Sequence, residues 1–367
     1  MKVALVTSLC RGGPVTHATL LAGELRRLGV GVTAVVVDEQ AAAAFAAEGV
    51  DVVRATPRWG RLGPAVVAAC RGTDVVHSHD RHSALWVLGR LGMPGRARVH
   101  TLHGLPEPFL PIPGQPPPTR RDRLAYQVVE PALLRRADRV IVPSPMTRQL
   151  ATQLGHRPEH LFVVPNGIRP RPAVPPPTDG AIGVIALLEP VKGVDVFLEA
   201  AARLRDRDPS ARFVVAGDGP ERVRLIALAR QLGLGSVVRF LGSVPSADAV
   251  LPDLDVVVVS SHFETSSFVA LETIAAGVPL VATRCGGLPE VVPADAATFV
   301  PPGDPAALAD AIHAVRRDAA GARRRADAAR RRVEANRPAT AMASAIVDVY
   351  RDALGAADSP PPGHTLS

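Results

Sequence analysis

Glu264-Thr-Ser-Ser-Phe-Val-Ala-Leu-Glu272 begins the stretch that says most about the fold, and Thr-Ile-Ala-Ala-Gly277 continues it. Its apolar residues recur with helical spacing, so a helix should carry Glu272 in its first two turns and Glu264 on the loop before it. Gly277 stops this helix, and a short apolar run then leads to the pair Gly286-Gly287. This order of loop, helix, strand and turn is typical of a parallel α/β sheet.

The start of this helix is suited to an anionic group. An unpaired helix N-terminus presents N–H groups and a positive dipole end, so the amides near Ser266, Ser267 and Phe268 are expected to receive a phosphate or diphosphate. The carboxylates of Glu264 and Glu272 can accept hydrogen bonds from hydroxyls at either end of that diphosphate. A nucleotide sugar has this layout, although two glutamates near a helix start can also simply complement the helix dipole.

Short valine-rich runs alternate with helical segments on both sides of a proline-rich interruption. Strands are predicted in the first half at 2–7, 31–37, 74–77, 97–101, 139–142 and 161–164, and in the second half at 181–186, 212–216, 237–240, 255–259, 279–282 and 297–300. The pattern predicts two Rossmann-like, doubly wound α/β domains, which bind ligands at the carboxyl ends of their strands.

The 367 residues, 47% of them hydrophobic, are enough for two domains with separate cores. The predicted division is a first domain at 1–168, a proline-rich linker at 169–180, a second domain at 181–338, a helix at 339–354 and a disordered tail at 355–367. A proline-rich segment at 105–119 is expected to be a loop.

Further short motifs occur in series along the chain. They are Arg11-Gly12-Gly13, Asp74-Val-Val-His77-Ser-His79, His100-Thr-Leu-His103-Gly104, Ala137-Asp138, Val164-Pro-Asn166-Gly167, Lys192-Gly193, Ala216-Gly217-Asp218-Gly219 and Phe240-Leu-Gly242. With the two glutamates, they resemble the family-4 retaining glycosyltransferases over almost the whole chain. The resemblance implies the GT-B fold, in which two Rossmann-like domains face a central cleft and the last helix crosses back to the first domain.

The resemblance also implies an activity and a donor site. The reaction would move a sugar from a nucleotide diphosphate, UDP- or GDP-linked, to an acceptor hydroxyl with retention of configuration, and without a metal or other cofactor. Glu272 would bind ribose hydroxyls, Glu264 would hold sugar hydroxyls, and the base would rest near Gly242 and Val244. Lys192 would neutralise the departing diphosphate together with the helix amides.

By the same resemblance, the first domain would bind the acceptor, with the loop at 105–119 on the acceptor side, and the second domain would bind the nucleotide sugar. Residues of the first domain would also complete the donor site. The pair Gly12-Gly13 would let the backbone approach the phosphate, although a tight turn after a strand uses the same residues. His103 would contact the donor sugar or orient the acceptor, although a histidine can equally serve a local turn or the core. His77, His79 and His82 are close in sequence, but no carboxylate spacing supports a site, so no metal is predicted.

One position departs from the family pattern. The family usually has an arginine five residues before the lysine, and Leu187 stands there in this chain. Either another cation, with Arg11 and Arg284 as candidates, shares the charge of the diphosphate, or donor binding is altered.

The charge of +7 is uneven along the chain. Residues 1–172 hold 22 Lys+Arg and 12 Asp+Glu, a net of +10, and the remainder hold 20 and 23, a net of −3. A basic first half suits an anionic or membrane-borne acceptor and peripheral membrane contact, but no clear amphipathic basic helix is evident. The arginines from Arg316 to Arg332 are interpreted as a solvated helix face, and no nucleic-acid partner is predicted.

The sequence also indicates the compartment. The N-terminal residues predict a buried strand rather than a signal peptide, and no run approaches twenty apolar residues, so a cytoplasmic protein is expected. Cys10, Cys70 and Cys285 show no disulfide or metal spacing and are expected to be reduced.

Two alternatives to transfer remain open. A nucleotide-sugar epimerase on the same fold would need carboxylates or histidines placed to remove a proton from carbon. A catalytically degenerate nucleotide-sugar-binding partner protein would explain Leu187. The acceptor is equally open, between a cell-envelope glycolipid or other lipid-linked molecule and a small molecule such as a natural-product core.

Overall fold

Two parallel α/β units account for the part of the chain that the structure describes. The computed structural model describes residues 1–10, 12–55, 64–89, 96–110, 112–113 and 115–358. The first unit contains Met1–Pro106, Pro118–Gly167 and the chain from Ala339 onward, and the second contains Glu107–Pro117 and Ile168–Pro338. The prediction of two doubly wound α/β domains is confirmed.

The first unit is built on a seven-stranded sheet. Its strands are β1 (Lys2–Thr7), β2 (Gly31–Val36), β3 (Asp51–Arg54), β4 (Val75–Ser78), β5 (Ala97–Thr101), β6 (Arg139–Val142) and β7 (Leu161–Val163). They pair in parallel in the order β3-β2-β1-β4-β5-β6-β7, with Val3 of β1 opposite Val32 on one side and Val75 on the other. The central strands are apolar runs because both faces of the sheet are covered.

Helices cover this sheet. They are α1 (Gly13–Arg27), α2 (Glu39–Ala47), α3 (Pro64–Cys70), α4 (Arg81–Leu88), α5 (Arg120–Arg123), α6 (Glu130–Leu134), α7 (Pro145–Gln153) and, from the end of the chain, α14 (Ala339–Asp358). Met342, Ile346 and Tyr350 recur every four residues along α14 and are buried in the core of this unit.

The second unit is built on a six-stranded sheet. Its strands are β8 (Ala181–Ile185), β9 (Phe213–Ala216), β10 (Val238–Gly242), β11 (Leu254–Val259), β12 (Leu280–Thr283) and β13 (Thr298–Val300), paired in parallel in the order β10-β9-β8-β11-β12-β13. The helices are α8 (Val194–Arg205), α9 (Arg222–Gln231), α10 (Phe268–Ala275), α11 (Leu288–Val291), α12 (Pro305–Arg317) and α13 (Ala319–Asn336).

Within the described residues, the structure differs from the sequence predictions in a strand, a helix end and a loop. Strand β3 was not predicted, because it offers only Val52 and Val53 between exposed Asp51 and Arg54 at a sheet edge. Helix α14 continues to Asp358, four residues into the predicted tail, and the rest of that tail lies outside the described residues. Most of the segment predicted as an acceptor-side loop, residues 107–117, belongs to the second unit.

The proline-rich residues 169–180 also belong to the second unit. The Val174 amide donates to the Ala276 carbonyl at 2.8 Å, and the carbonyl of Val174 accepts from Arg323 at 3.1 Å. Arg171 forms an ion pair with Asp248. These contacts hold the segment against its own unit.

Among the described residues, none of the helices is both long enough and apolar enough to cross a membrane.

Candidate active site

Most of the predicted donor residues lie at one edge of the second sheet. Lys192 follows β8, Gly217 follows β9, Gly242 ends β10, Glu264 follows β11 and Gly286 follows β12. Because these strands are parallel, all five positions lie at the carboxyl edge of the sheet, where doubly wound folds bind ligands.

An ion pair lies at the centre of this edge. The Lys192 ammonium donates to Oε1 of Glu264 at 2.9 Å, and the Ser261 hydroxyl donates to the same oxygen at 2.8 Å. Glu264 is 7% exposed. Burial alone would lower the pKa of Lys192, but the neighbouring Glu264 carboxylate raises that pKa on balance, so the lysine stays charged.

Backbone hydrogen bonds fix the position of this pair. The Ser260 hydroxyl donates to the Lys192 carbonyl at 3.1 Å, and the His262 amide donates to the Val191 carbonyl at 2.8 Å. Gly193 has φ 56°, and a Cβ on it would lie 2.3 Å from the Ser260 carbonyl oxygen. Only glycine therefore allows the two loops to approach this closely.

The glycine pair after β12 holds the other side of Glu264. The Gly287 amide donates to the Glu264 carbonyl at 2.7 Å. Gly286 has φ 51°, and a Cβ there would lie 2.1 Å from the Glu264 carbonyl oxygen. The Gly-Gly turn predicted from the sequence thus positions the first glutamate of the motif.

Gly286→Ala should therefore displace Glu264 and lower kcat/KM about 100-fold, the usual cost of moving a reacting group by about 1 Å. Gly233→Ala is the matched control, because Gly233 also has a positive φ, 70°, but a Cβ on it would meet no atom within 4 Å. Steady-state kinetics of the two purified variants would compare them. Equal losses would show that backbone strain alone, and not contact with Glu264, sets the effect.

Helix α10 begins where the sequence predicted. Ser267 is its N-cap, and the Ser267 hydroxyl accepts from the Ala270 amide at 3.3 Å. The amides of Ser266, Ser267 and Phe268 lie at this N-terminus, and Glu272 lies in the second turn. Burial raises the pKa of Glu272 to about 7, Arg171 opposes the increase, and Asp248 adds to it. Glu272 is thus an acid that exchanges its proton near neutral pH.

The edge strand carries the predicted base position. Gly242 has φ 73° and open space around it, and its carbonyl accepts from the Gly217 amide at 2.7 Å. Val244 is half-buried two residues later. Gly217 has φ 143°, and a Cβ on it would lie 1.8 Å from the Ala186 carbonyl oxygen. These glycines bring the loops after β8, β9 and β10 together.

Two arginines were suggested to share the charge of the diphosphate in place of the arginine that Leu187 replaces, and the structure describes only one of them. Arg11 lies outside the described residues. The guanidinium of Arg284 lies over the Phe299 ring, 4.7 Å from its centroid, and Arg284 is exposed. Leu187 itself is half-buried in the loop after β8.

In the first unit, the predicted residues again follow strands. Gly12 precedes α1 with φ 94°, and its carbonyl accepts from the Val15 and Thr16 amides, so a residue other than glycine would be strained there. Gly13 is the first residue of α1. His103 follows β5, and its Nε2 lies 3.3 Å from Nδ1 of His79, which follows β4.

These two histidines belong to a larger buried cluster that the sequence did not predict. His17 on α1 lies with its ring centroid 4.7 Å from that of His103, and its Nδ1 contacts Oδ1 of Asn166 at 3.0 Å. The two ring nitrogens of His77 form hydrogen bonds with the hydroxyls of Tyr350 and Thr101, each 2.7 Å long. His82, which is near His79 in sequence, is exposed on α4 instead.

The cluster is uncharged at neutral pH. Burial lowers the pKa of His17 to about 4, and burial together with the neighbouring histidines holds the pKa of His79 and His103 well below the usual range. His103 can therefore donate or accept a hydrogen bond but does not act as an imidazolium acid. Ligand atoms of His17, His79 and His103 lie within 4.8 Å of one another, so this group could hold a transition-metal ion.

Other predicted features also have clear places. The arginines between Arg316 and Arg332 were predicted to form a solvated helix face. Three of them form ion pairs, namely Arg325 with Asp318, Arg330 with Glu334 and Arg332 with Asp295. Arg323 donates to the Gly277 carbonyl. Those arginines neutralise charge within the protein.

All three cysteines are free thiols. Burial raises the pKa of Cys70 to about 11 and that of Cys285 to about 12. Neither buried thiol is reactive near neutral pH.

Two family models cover most of the chain. The model of glycosyl transferases group 1 matches residues 170–332, and that of Glycosyltransferase Family 4 matches residues 11–171. Glycogen synthase of Mycobacterium tuberculosis is 32% identical over 303 residues, which are 79% of this chain and 71% of that protein. D-inositol 3-phosphate glycosyltransferase of Actinosynnema mirum is 33% identical over 251 residues, and the match spans 60% of this chain and 58% of that relative's length.

Solved structures share the fold. The Anabaena protein Alr3699/HepE in complex with UDP-glucose superposes with a TM-score of 0.79 at 20% identity, over 96% of this chain and 100% of that one. The family models, the relatives and the structural similarity all indicate the family that the motif residues at the carboxyl edges of the two sheets resemble. The chain belongs to the family-4 glycosyltransferases of the GT-B fold and is a glycosyltransferase.

Proposed function

We propose that the protein transfers a sugar from a nucleotide diphosphate, UDP- or GDP-linked, to an acceptor hydroxyl, with retention of configuration and without a metal at the diphosphate. The observation that carries the proposal is the Lys192–Glu264 pair beside the N-terminus of α10. It combines a cation, a helix dipole and a carboxylate at the ligand-binding edge of one sheet.

Each group has a distinct task in this reaction. An ammonium has three N–H donors, so Lys192 can keep its bond to Glu264 while donating to the departing diphosphate. The amides that begin α10 receive the same negative charge. Since Lys192 and Ser261 both use Oε1 of Glu264, Oε2 is the atom that would accept from a sugar hydroxyl. Glu272 would accept from the ribose.

The bond changes balance without a protein base. The acceptor oxygen bonds to the anomeric carbon on the face from which the nucleotide leaves, and the bond from that carbon to the phosphate oxygen breaks. The acceptor's hydroxyl proton passes to the departing phosphate. His103, as a neutral imidazole, would hold a sugar or acceptor hydroxyl by hydrogen bonding.

The relatives support a nucleotide-sugar donor and leave the acceptor open. HepE was solved with UDP-glucose, whereas the two relatives named above are called an inositol phosphate glycosyltransferase and a glycogen synthase. Their names imply acceptors of different size and charge. A small-molecule acceptor and a lipid-linked acceptor are both compatible with the donor site.

The test is nucleotide release from a panel of UDP-, GDP-, dTDP- and ADP-sugars in EDTA, with and without added Mg²⁺. We expect slow release from one donor, at the same rate in EDTA, and its loss in Glu272→Ala. Binding of a donor without turnover would instead identify a nucleotide-sugar-binding partner protein. Activity that requires Mg²⁺ would overturn the metal-independent part of the proposal.

Running the same reaction in D₂O separates transfer from epimerisation. Transfer breaks no carbon–hydrogen bond, so the recovered sugar should contain no deuterium. An epimerase that removes a proton from carbon would introduce solvent deuterium, which mass spectrometry of the recovered donor would detect.

A further inference from the structure

A helical segment of the first unit is mostly exposed to solvent. It runs without interruption through α5, a wider turn with i to i+5 hydrogen bonding at Leu124–Val129, and α6, and is called the 120–134 helix below. None of the residues of its first ten positions is buried. A helix with so little packing of its own must be held by a few specific contacts, or must gain contacts from a partner.

Arg81 contacts the inner side of the 120–134 helix through two groups. Nε of Arg81 donates to Glu130 at 2.8 Å, and its guanidinium lies over the Tyr126 ring at 5.6 Å from the centroid. Pro131 and Leu134 are buried near the end of the helix. Arg81 also donates to the Gly104 carbonyl at 3.1 Å. These contacts tie the helix to the residue after His103.

The outer side of the helix is apolar. Leu124 is 58% exposed, Val128 is 54% exposed and Val129 is 51% exposed. Leu124 and Val128 are four residues apart and so lie on the same side. Contiguous apolar side chains on a surface helix mark an interaction site more often than single exposed residues do.

Positive charge borders this apolar patch. Arg120, Arg121 and Arg123 are exposed in the turn before Leu124, and Arg135 and Arg136 are exposed just after the helix. In the described part of the chain, none of the three N-terminal arginines forms an ion pair with a carboxylate. The segment between residues 120 and 136 contains only two acidic residues, and Arg81 pairs with one of them.

An apolar patch bordered by arginines favours one kind of partner over another. A second copy of the chain would place like-charged arginines against one another, which is unfavourable. A bilayer with anionic headgroups offers phosphates to the arginines and an apolar layer to the leucine and valines beneath them. We propose that the 120–134 helix docks the protein on an anionic lipid surface, with Leu124, Val128 and Val129 entering the headgroup layer.

The docking does not rest on the donor site, and it bears on the acceptor. Because Arg81 links the helix to Gly104, docking holds the strand end that carries His103 near the lipid surface. An acceptor borne by a lipid would then meet the predicted acceptor side of the first unit.

The test is sedimentation with vesicles of phosphatidylcholine alone or with one quarter phosphatidylglycerol, using the full chain without nucleotide. We expect binding to the anionic vesicles only. Replacing Arg120, Arg121 and Arg123 together with glutamine should weaken this binding about 100-fold, at about five-fold for each arginine. Leu124→Ser combined with Val128→Ser should weaken it at least about ten-fold.

Matched controls remove the same groups from the second unit. Arg203, Arg317 and Arg324 are exposed, and glutamine at all three removes an equal charge. Val223→Ser removes an apolar residue that is 80% exposed. Both controls should bind vesicles as the unmodified protein does, and unchanged circular dichroism would show that all variants fold.

Three results would overturn the proposal. The control variants could lose as much vesicle binding as the variants of the 120–134 helix, or the protein could bind neutral and anionic vesicles equally well. In the third result, the protein binds no vesicles but forms a concentration-dependent dimer that the Leu124 and Val128 changes dissociate. Glu272→Ala should still bind vesicles, so failure of the donor site and failure of the docking surface are distinguishable.

Discussion

Lys192→Ala should lower kcat about 1,000-fold, the upper range for loss of one group that stabilises developing charge. The change removes the cation that we propose contacts the departing diphosphate. It also leaves the buried Glu264 carboxylate without its ion-pair partner, so the second unit should lose about 2 kcal/mol of stability. Steady-state kinetics and urea titration would measure the two effects separately.

A second substitution separates catalysis from stability. In Lys192→Ala combined with Glu264→Gln, the unpaired charge is gone, so stability should return while activity stays low. Arg224→Ala is the control, because it removes a cation from the more exposed pair with Asp195 and should leave kcat unchanged. Recovery of activity in the double variant would contradict the role assigned to Lys192.

Glu272→Gln should make the nucleotide-free protein more stable at pH 8 and weaken donor binding. Burial raises the pKa of Glu272 from 4.5 to about 7, so the folded protein retains this proton at pH values where the unfolded chain has lost it. The stability from the protonated carboxyl is fully present below pH 4.5 and is lost as pH rises to 7. Above pH 7 a half-buried charge remains, and glutamine should relieve about 2 kcal/mol, less than the full pKa shift implies because water screens part of the charge.

The thermal midpoint at pH 8 should therefore rise by about 5 °C in Glu272→Gln, and at pH 4 it should match that of the unmodified protein. Glu199→Gln, a change at an exposed glutamate on α8, should alter neither value. A lower midpoint for Glu272→Gln at pH 8 would show that a hydrogen bond to the carboxylate outweighs its burial.

Donor binding should respond in the opposite direction. A carboxylate accepts ribose hydroxyls more strongly than a neutral amide does, so the variant should bind a nucleotide sugar about ten-fold more weakly at pH 8. For the unmodified protein, protonation of Glu272 should weaken binding about ten-fold between pH 8 and pH 6. Calorimetry of the variant should show no such pH dependence. The diphosphate of a nucleotide sugar does not titrate near neutral pH, so the difference reports on the protein.

Valine-rich strands made the two sheets predictable. In parallel sheets covered on both faces, the strands are continuous apolar runs, and nearly every predicted strand falls within two residues of its observed bounds. β3 was not predicted, because a strand at the edge of a sheet needs fewer apolar residues and so gives a weaker sequence pattern. The alternation of strands and helices predicts a helix between β5 and β6, but it does not predict that most of the 120–134 helix is exposed.

The site was predictable where one motif carried it and not where contacts join distant segments. Glu264, Ser267 and Glu272 are close in sequence, so a helical period placed them. Lys192 contacts Glu264 across 72 residues of sequence; the resemblance assigned both residues to the donor site but did not predict their ion pair. His17 joins His79 and His103 from a separate helix, and no spacing in the sequence indicates that cluster.

The central claim is that the second unit holds the donor between Lys192, Glu264 and Glu272. A crystal structure with UDP-glucose or its unreactive 2-fluoro analogue, grown in EDTA, tests it most directly. We predict the diphosphate at Lys192 and the amides before α10, the sugar at Glu264 and the ribose at Glu272. A donor bound away from Lys192, or one whose diphosphate is held only by an added metal ion, would contradict it.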